Sequence, residues 1–548
     1  MHSVADAVFS GDISATITDI RSAAESGDEI RVYDLAKAAL ERGLRHPMLF
    51  QARANWFWHA GLYYDALADL EAALTYSPRN PLLHSAAGEC LLKLGVWRAA
   101  SRALGAAIEL APEIPQTHYL RGLAFQMNGE RQAAISAHRR AVELNPRHAN
   151  ALASLALISS AEGNLESLRE YADAVHRLDP LQPTAHIARA VQELREDAVG
   201  SARQRLLELL QAGRFGDDPR ANDVLRELGN RFEVQGDVPF AFRIYSEVNR
   251  KRRAIHSRRF AEHRSSSDIA VQLTYFHRTP AWSPEPVPPS QPEAPRCHVF
   301  ILGFARTGTT LLETVLASNE EVIAFDEKDC FSQEAKALLR SEEGLETLAI
   351  LDETQLARMR TAYWEQVGEF GCAAAGKVFV DKWPFNSRRL PLIAKLFPGA
   401  RILFTIRDPR DVVLSCFRRS FIMNPDTFEF LELEECARFY TGIMDLFACV
   451  RQKLPLQILD VRYESLIADF AGTVRTICDF VGLQWSEGMR DFHLAAEGTV
   501  DIHAQSGRQV RMSLYSHGAG QWRCFSEQLA PTFPVLSPWI KRFDYPAD

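Results

Sequence analysis

In the N-terminal part of the chain, apolar residues line one face of short helical segments that come in pairs. Leu91, Leu92 and Leu94 mark one helix of a pair, and Leu104, Ala107 and Ile108 mark the next. That is the spacing of helices that bury a stripe against a neighbour. The pairs are periodic. Pro78, Pro112, Pro146 and Pro180 recur every 34 residues, as do Gly61, Gly95, Gly129 and Gly163. Ala66, Ala100 and Ala134 share the period, and so do Ala73, Ala107 and Ala141. Gly88 and Gly122 each stand 7 residues before a repeat glycine. Small residues where two helices touch, with a proline closing each unit, predict stacked helix–turn–helix repeats forming a solenoid with a concave face.

The 34-residue unit is that of tetratricopeptide repeats. Gly27 and Ala39 carry the register toward the N-terminus, and Gly229, Gly236 and Ala241 restore it after a blurred stretch. The period accommodates about six or seven repeats. Residues 279–296 then hold seven prolines, Pro280, Pro284, Pro286, Pro288, Pro289, Pro292 and Pro295, a composition that suits an extended, semi-rigid spacer.

Beyond it the pattern changes to apolar runs alternating with helical spacing. Val299–Leu302 reads as a buried strand, followed by a helix carrying Leu311, Leu312, Val315 and Leu316. Further strands are expected at 378–380, 402–406 and 456–461, and a helix at 412–417 with Asp408 as N-cap and Pro409 as its first residue. Residues 328–376 read as helical and are expected to shape an acceptor pocket. The expected organisation is a repeat solenoid over 1–252, a connecting segment with the proline-rich linker over 253–296, and an α/β domain with a mostly parallel sheet over 297–548. Ligands bind such sheets at the carboxyl ends of the strands.

At 548 residues, 47% apolar and 24% charged, the chain is globular and multidomain. A net charge of −8 argues against nucleic-acid binding. The first twenty positions lack a basic region followed by an apolar run, and no stretch approaches a membrane span. Nine scattered cysteines without metal-type pairing suit reduced thiols. A cytoplasmic protein without membrane association is expected.

The chemistry starts at Gly303-Phe304-Ala305-Arg306-Thr307-Gly308-Thr309-Thr310, between the first strand and its helix. Gly303 and Gly308 have the spacing of a Walker A phosphate loop, with Thr309 in place of its lysine. Such a loop cradles a phosphate through backbone amides and a helix N-terminus, but it is poorly equipped for γ-phosphoryl transfer. A nucleotide carrying another transferable group is indicated.

Arg306-Thr307-Gly308-Thr309-Thr310 resembles the 5′-phosphosulfate loop of sulfotransferases. Arg407-Asp408-Pro409-Arg410-Asp411-Val412-Val413-Leu414-Ser415 is similar to their 3′-phosphate motif, an arginine ending a strand with a serine eight residues later. The resemblance covers roughly residues 297–548 and is nearest to tyrosylprotein sulfotransferases and to bacterial sulfotransferases fused to tetratricopeptide repeats. It implies the co-substrate 3′-phosphoadenosine 5′-phosphosulfate and no metal, held by Arg306, Thr307, Gly308, Thr309, Thr310, Arg407, Ser415 and Tyr463, and by Ser506 and Arg511 in a late segment. It also implies three catalytic residues. Arg306 would face the transferred group. Glu327, 21 residues later, would be the general base, with Asp326 where the class has a glutamate. Lys382, in Asp-Lys-Trp-Pro, would neutralise the leaving bridging oxygen. A fixed guanidinium and a hydroxyl suit a 3′-phosphate, and an ammonium suits a developing oxyanion.

Each assignment has a plainer counterpart. Arg407 could pair with Asp411, Glu327 could be one of a solvated run Asp326-Glu327-Lys328-Asp329, Lys382 a surface lysine and Tyr463 a core residue. His298, His493, His503 and His517 fall away from the motifs, which disfavours a histidine base. The leading function is sulfonate transfer to a hydroxyl acceptor, a small molecule or a tyrosine on a peptide held by the repeats. A degenerate phosphate-loop kinase or triphosphatase, and a non-catalytic repeat scaffold with a nucleotide-sensing domain, are the alternatives. For the repeats, capture of a protein partner and homodimerisation stand side by side.

Overall fold

The computed structural model describes residues 2–213, 219–261, 264–283, 285–286, 295–369, 374–495 and 518–547. The chain forms two compact units, Met1–Ala261 and Glu262–Asp548.

The first unit is all helix among the described residues and consists of antiparallel pairs such as Pro81–Leu94 with Trp97–Leu110 and Pro115–Met127 with Arg131–Leu144. The 34-residue period has a steric origin. A Cβ on Gly88 would stand 2.5 Å from Leu104, one on Gly122 2.5 Å from His138, and one on Gly229 2.7 Å from Tyr245. At each place a large side chain 16 positions later lies on bare backbone, so the helices of a pair approach more closely than any side chain allows. Ala66, Ala100, Ala134, Ala73, Ala107 and Ala141 fill the rest of these contacts and are buried. The turn glycines Gly61, Gly95, Gly129 and Gly163 all adopt left-handed φ, +73° to +79°, which only glycine enters without strain. The prolines of the sequence period sit in the turns between repeats. A second series, Pro47, Pro81, Pro115 and Pro183, occupies the first turn of the opening helices, where a missing N–H has no consequence.

The second unit is built on a five-stranded, all-parallel sheet: β1 Cys297–Leu302, β2 Val322–Asp326, β3 Val378–Lys382, β4 Arg401–Ile406 and β5 Gln457–Arg462. The order is β2-β3-β1-β4-β5. Val299, Phe300, Ile301 and Leu302 are all fully buried, so β1 is covered on both faces, as the unbroken apolar run requires. β2 and β3 lie on one side of β1, and β4 and β5 on the other. The winding therefore reverses at β1, and the crevice at its carboxyl end is where a doubly wound sheet takes its ligand.

The boundary between the units falls inside the segment 253–296 that reads as a connector. The helix Val238–Ala261 carries the first unit through residue 261, and Ser265–Arg278 is a helix of the second unit. Ile269, Tyr275 and Phe276 of that helix are buried. Ser266 donates to Glu429 at 2.8 Å, and Arg264 pairs with Glu435 at 3.1 Å. Trp282 N–H donates to the Lys453 carbonyl at 2.8 Å. Half of the proline-rich stretch, 284 and 287–294, lies outside the described residues. The helices Gln333–Ala337, Glu342–Ala349 and Glu353–Glu369 occupy the region between β2 and β3. No helix among the described residues is long and apolar enough to cross a membrane.

Candidate active site

The phosphate loop runs from the end of β1 at Gly303 to Gly308, where the helix Thr309–Ala317 begins. A Cβ on Gly303 would fall 2.3 Å from Thr405 Oγ1 and 2.8 Å from its carbonyl oxygen, so the loop lies directly on β4. Ser387 Oγ donates to the Gly303 carbonyl at 2.6 Å and accepts from its N–H at 2.9 Å. Thr307 turns its hydroxyl inward, bonding the Phe304 carbonyl and Thr405 Oγ1, both at 2.6 Å. The threonine thus stiffens the loop, leaving anion contacts to backbone groups. The first amides of the helix, including those of Thr309 and Thr310, have no carbonyl partner within it. Arg306 holds φ +72°, a left-handed conformation unfavourable for a non-glycine residue and concentrated at functional sites.

Arginines gather beside this loop. Arg306 Nε donates to Ser415 Oγ at 3.1 Å, joining positions 109 residues apart. Arg407, at the end of β4, donates to the Arg306 carbonyl at 2.8 Å and to that of Gly518, and lies over the Tyr463 ring at 4.8 Å. Its buried Nε has no hydrogen-bond partner among the described residues. Tyr463 packs against the loop; a Cβ on Gly308 would stand 2.8 Å from its ring. Burial, reinforced by the charges of Arg419, Arg407 and Arg418, pushes Arg306 down to about 9. Asp411, the plainer partner for Arg407, instead accepts from the N–H groups of Gly520 at 2.6 Å and Trp522 at 2.9 Å. Asp408 caps its helix through Arg410 N–H at 3.0 Å, with Pro409 as the first helical residue. Ser506 and Arg511 lie outside the described residues.

The other half of the site sits at the ends of β2 and β3. Parallel register sets Asp326 beside Lys382, and Glu327 N–H donates to the Lys382 carbonyl at 2.9 Å. The Lys382 ammonium meets Glu327 Oε1 at 2.8 Å, Asp326, and Glu313 Oε2 at 3.4 Å. Side-chain exposure grades from 1% for Lys382 and 10% for Glu313 to 42% for Asp326 and 58% for Glu327. The ammonium is therefore enclosed, while two of its carboxylates face solvent. Burial opposes its charge, but the three carboxylates outweigh that and raise its pKa. For Glu313 burial wins over Lys382 and pushes the carboxyl up to about 8. Glu327 holds φ +47°. The loop carrying it is anchored by Asp329, which accepts from Arg389 at 2.8 Å and 3.2 Å and from Lys336 at 2.7 Å. Asp326, Glu327 and Asp329 thus each engage a buried cation, so the acidic run is not a freely solvated one.

Lys382, Arg306, Arg407 and Tyr463 all stand at carboxyl ends of strands. Glu313, Arg418 and Arg419 join them without a sequence motif to announce them. For Glu313 a signal exists: it is the only charge in the helix TTLLETVLA. His298 lies at the amino end of β1 among Phe300, Tyr363 and Phe397, where burial pushes it down to about 3. It is a core histidine. His503 and His517 lie outside the described residues.

Residues 298–487 match the model of the sulfotransferase family. A protein of Aquifex aeolicus is 22% identical over 414 residues, 73% of this chain and 52% of its own length. A putative protein-tyrosine sulfotransferase of Caenorhabditis briggsae is 25% identical over 260 residues, 45% of this chain and 88% of its own. Protein-tyrosine sulfotransferase 1 of Danio rerio is 24% identical over 201 residues, 35% of this chain and 54% of its own. The chain spans about half the length of the first and third of these relatives. It joins an array of 34-residue helical repeats to a domain that matches the sulfotransferase family model over residues 298–487.

Proposed function

We propose that the C-terminal unit transfers a sulfonate from 3′-phosphoadenosine 5′-phosphosulfate to a hydroxyl acceptor. The observation that carries this is the meeting of Arg306 with Ser415 and Arg407 beside a phosphate loop that lacks the Walker lysine. The residues suit this co-substrate. The Arg407 Nε, without a hydrogen-bond partner among the described residues, and the arginines gathered beside the loop suit a multiply charged anion. Arg407 and Ser415 hold the 3′-phosphate, the loop and helix N-terminus hold the 5′-phosphosulfate, and Tyr463 flanks the adenine side.

In the transfer, the acceptor oxygen bonds to sulfur as the bond from sulfur to the bridging oxygen breaks. The electron pair of that bond leaves on the bridging oxygen, where Lys382 meets the developing charge. The acceptor proton passes to Glu327 in the same step. Arg306 faces the sulfonate. An acceptor phenol, tyrosine on a peptide recruited by the repeats, fits the names of the C. briggsae and D. rerio relatives.

The desulfated product, 3′,5′-diphosphoadenosine, is expected to raise the melting temperature by roughly 5–10 °C at a hundredfold excess over Kd. Arg407→Ala should abolish most of that rise, and ATP should produce little of it. Equal stabilisation by ATP, or a full rise in the variant, would move the assignment to a nucleotide triphosphatase.

A second measurement addresses the repeats. A chain starting at Glu262 keeps the buried helix Ser265–Arg278 and is expected to bind the product like the full protein. It should lose most activity on a macromolecular acceptor and keep activity on a small phenol, because only remote binding energy is missing. Undiminished activity on the large acceptor would leave oligomerisation as the account of the repeats.

A further inference from the structure

We propose that Glu313 is a positioning residue for Lys382, a buried hydrogen-bond acceptor that keeps the ammonium at the carboxyl end of β3 while Glu327 serves the acceptor. The proposal rests on the sulfonate-transfer reading. Of the three carboxylates around Lys382, Glu327 and Asp326 are half open to water, whereas Glu313 is closed off. As the base, Glu327 must exchange its contact with Lys382 for the acceptor proton. A lysine side chain is flexible and strongly hydrated, so an ammonium losing that partner needs another that stays in place. Glu313 belongs to the helix starting at Gly308, the last glycine of the phosphate loop. One rigid element therefore carries both the anion cradle and the acceptor that fixes Lys382.

The charged groups facing Glu313 are Lys382 from β3, Asp326 at the end of β2, and Glu327 beyond it; its own helix contributes none. Its ionisation near pH 8 changes what Lys382 presents. As a neutral acid, Glu313 accepts a hydrogen bond without cancelling the ammonium's field. As a carboxylate it neutralises part of that field. Turnover should therefore fall above about pH 8.

Two variants test this in the full-length protein. Glu313→Leu fills the site without an acceptor and is expected to lower kcat about tenfold, the scale of one hydrogen bond to a charged group, with product affinity within about threefold. Glu313→Gln restores a neutral acceptor. It should recover wild-type kcat near pH 7 and lose the alkaline limb. A readout without substrate accompanies these. The folded-state pKa of Glu313 lies above the unfolded one, so its favourable contribution is complete below the unfolded value and is lost as pH rises through about 8. The melting temperature of wild type should thus fall relative to Glu313→Gln between pH 5 and pH 9. A Leu variant with wild-type kcat, a Gln variant as impaired as Leu, or a Gln variant that keeps both the limb and the melting trend overturns the proposal. If Leu does not fold, the two Gln profiles still decide. A wild-type protein that transfers no sulfonate to any hydroxyl would instead defeat the underlying reading.

Discussion

Glu327→Gln is expected to lower turnover by about 10²–10⁴-fold while leaving the affinity for 3′,5′-diphosphoadenosine within about threefold. The substitution is isosteric. Its amide oxygen still accepts from Lys382, as Oε1 does now at 2.8 Å, and a residue of the same shape tolerates φ +47° equally well. What it loses is the ability to take a proton. Glu327 is also the most open of the three acids, so an acceptor can reach it without rearranging the core. The check is single-turnover transfer with both substrates saturating, paired with calorimetric titration of the product. Wild-type turnover in the variant would place the base elsewhere. His298 is excluded by its burial at the far end of β1, leaving His493, His503 and His517 to be tested next.

The repeat array was legible because one steric demand recurs. Two helices crossing at Gly88 and Leu104 need a small residue at the contact, and a repeated demand writes a period. The phosphate loop was legible for a related reason: Gly303 and Gly308 answer close contacts with Thr405 and Tyr463 that no Cβ permits. The strand β2 was not among the strands expected. It is five residues long, lies at the sheet edge and buries only Val322 and Phe325, so it lacks the apolar run that marks β1, β3 and β4. The helix Ser265–Arg278 reads as part of a connector because its partners, Glu429 for Ser266 and Lys453 for the Phe276 carbonyl, are distant in sequence.

The site divides along the same line. Arg306 and Arg407 stand where a strand gives way to a loop or helix, positions marked by glycine or by Asp408-Pro409. Arg418 and Arg419 close the following helix and look like the usual cations at a helix C-terminus. Their contribution to the arginine cluster appears only when that helix packs beside the loop. Glu313 is the same case in reverse. A lone acid in an apolar helix is a burial anomaly, but only the parallel pairing of β2 with β3 shows that its partner is Lys382.

That pairing gives Lys382→Ala two separable consequences. Turnover should fall by about 10²–10³-fold, the scale of removing one group that stabilises a developing oxyanion. Stability should fall as well, in a pH-dependent way. Removing the ammonium leaves Glu313 buried without its cation, and a broken buried pair costs about 3–5 kcal/mol. Asp326 and Glu327 add little, because water screens them. Without Lys382 the Glu313 carboxyl is held still higher than in the wild type, so it stays neutral at pH 5 and the penalty there is small. At pH 9 its ionisation in the folded state is strongly opposed, and an unfolded chain that releases the proton freely is favoured. Denaturant unfolding at pH 5 and pH 9 measures the difference, with Lys382→Met as a companion that keeps most of the stem's packing. Equal losses at both pH values would mean the lysine acts through volume alone. Turnover within tenfold of wild type would remove it from the leaving-group role.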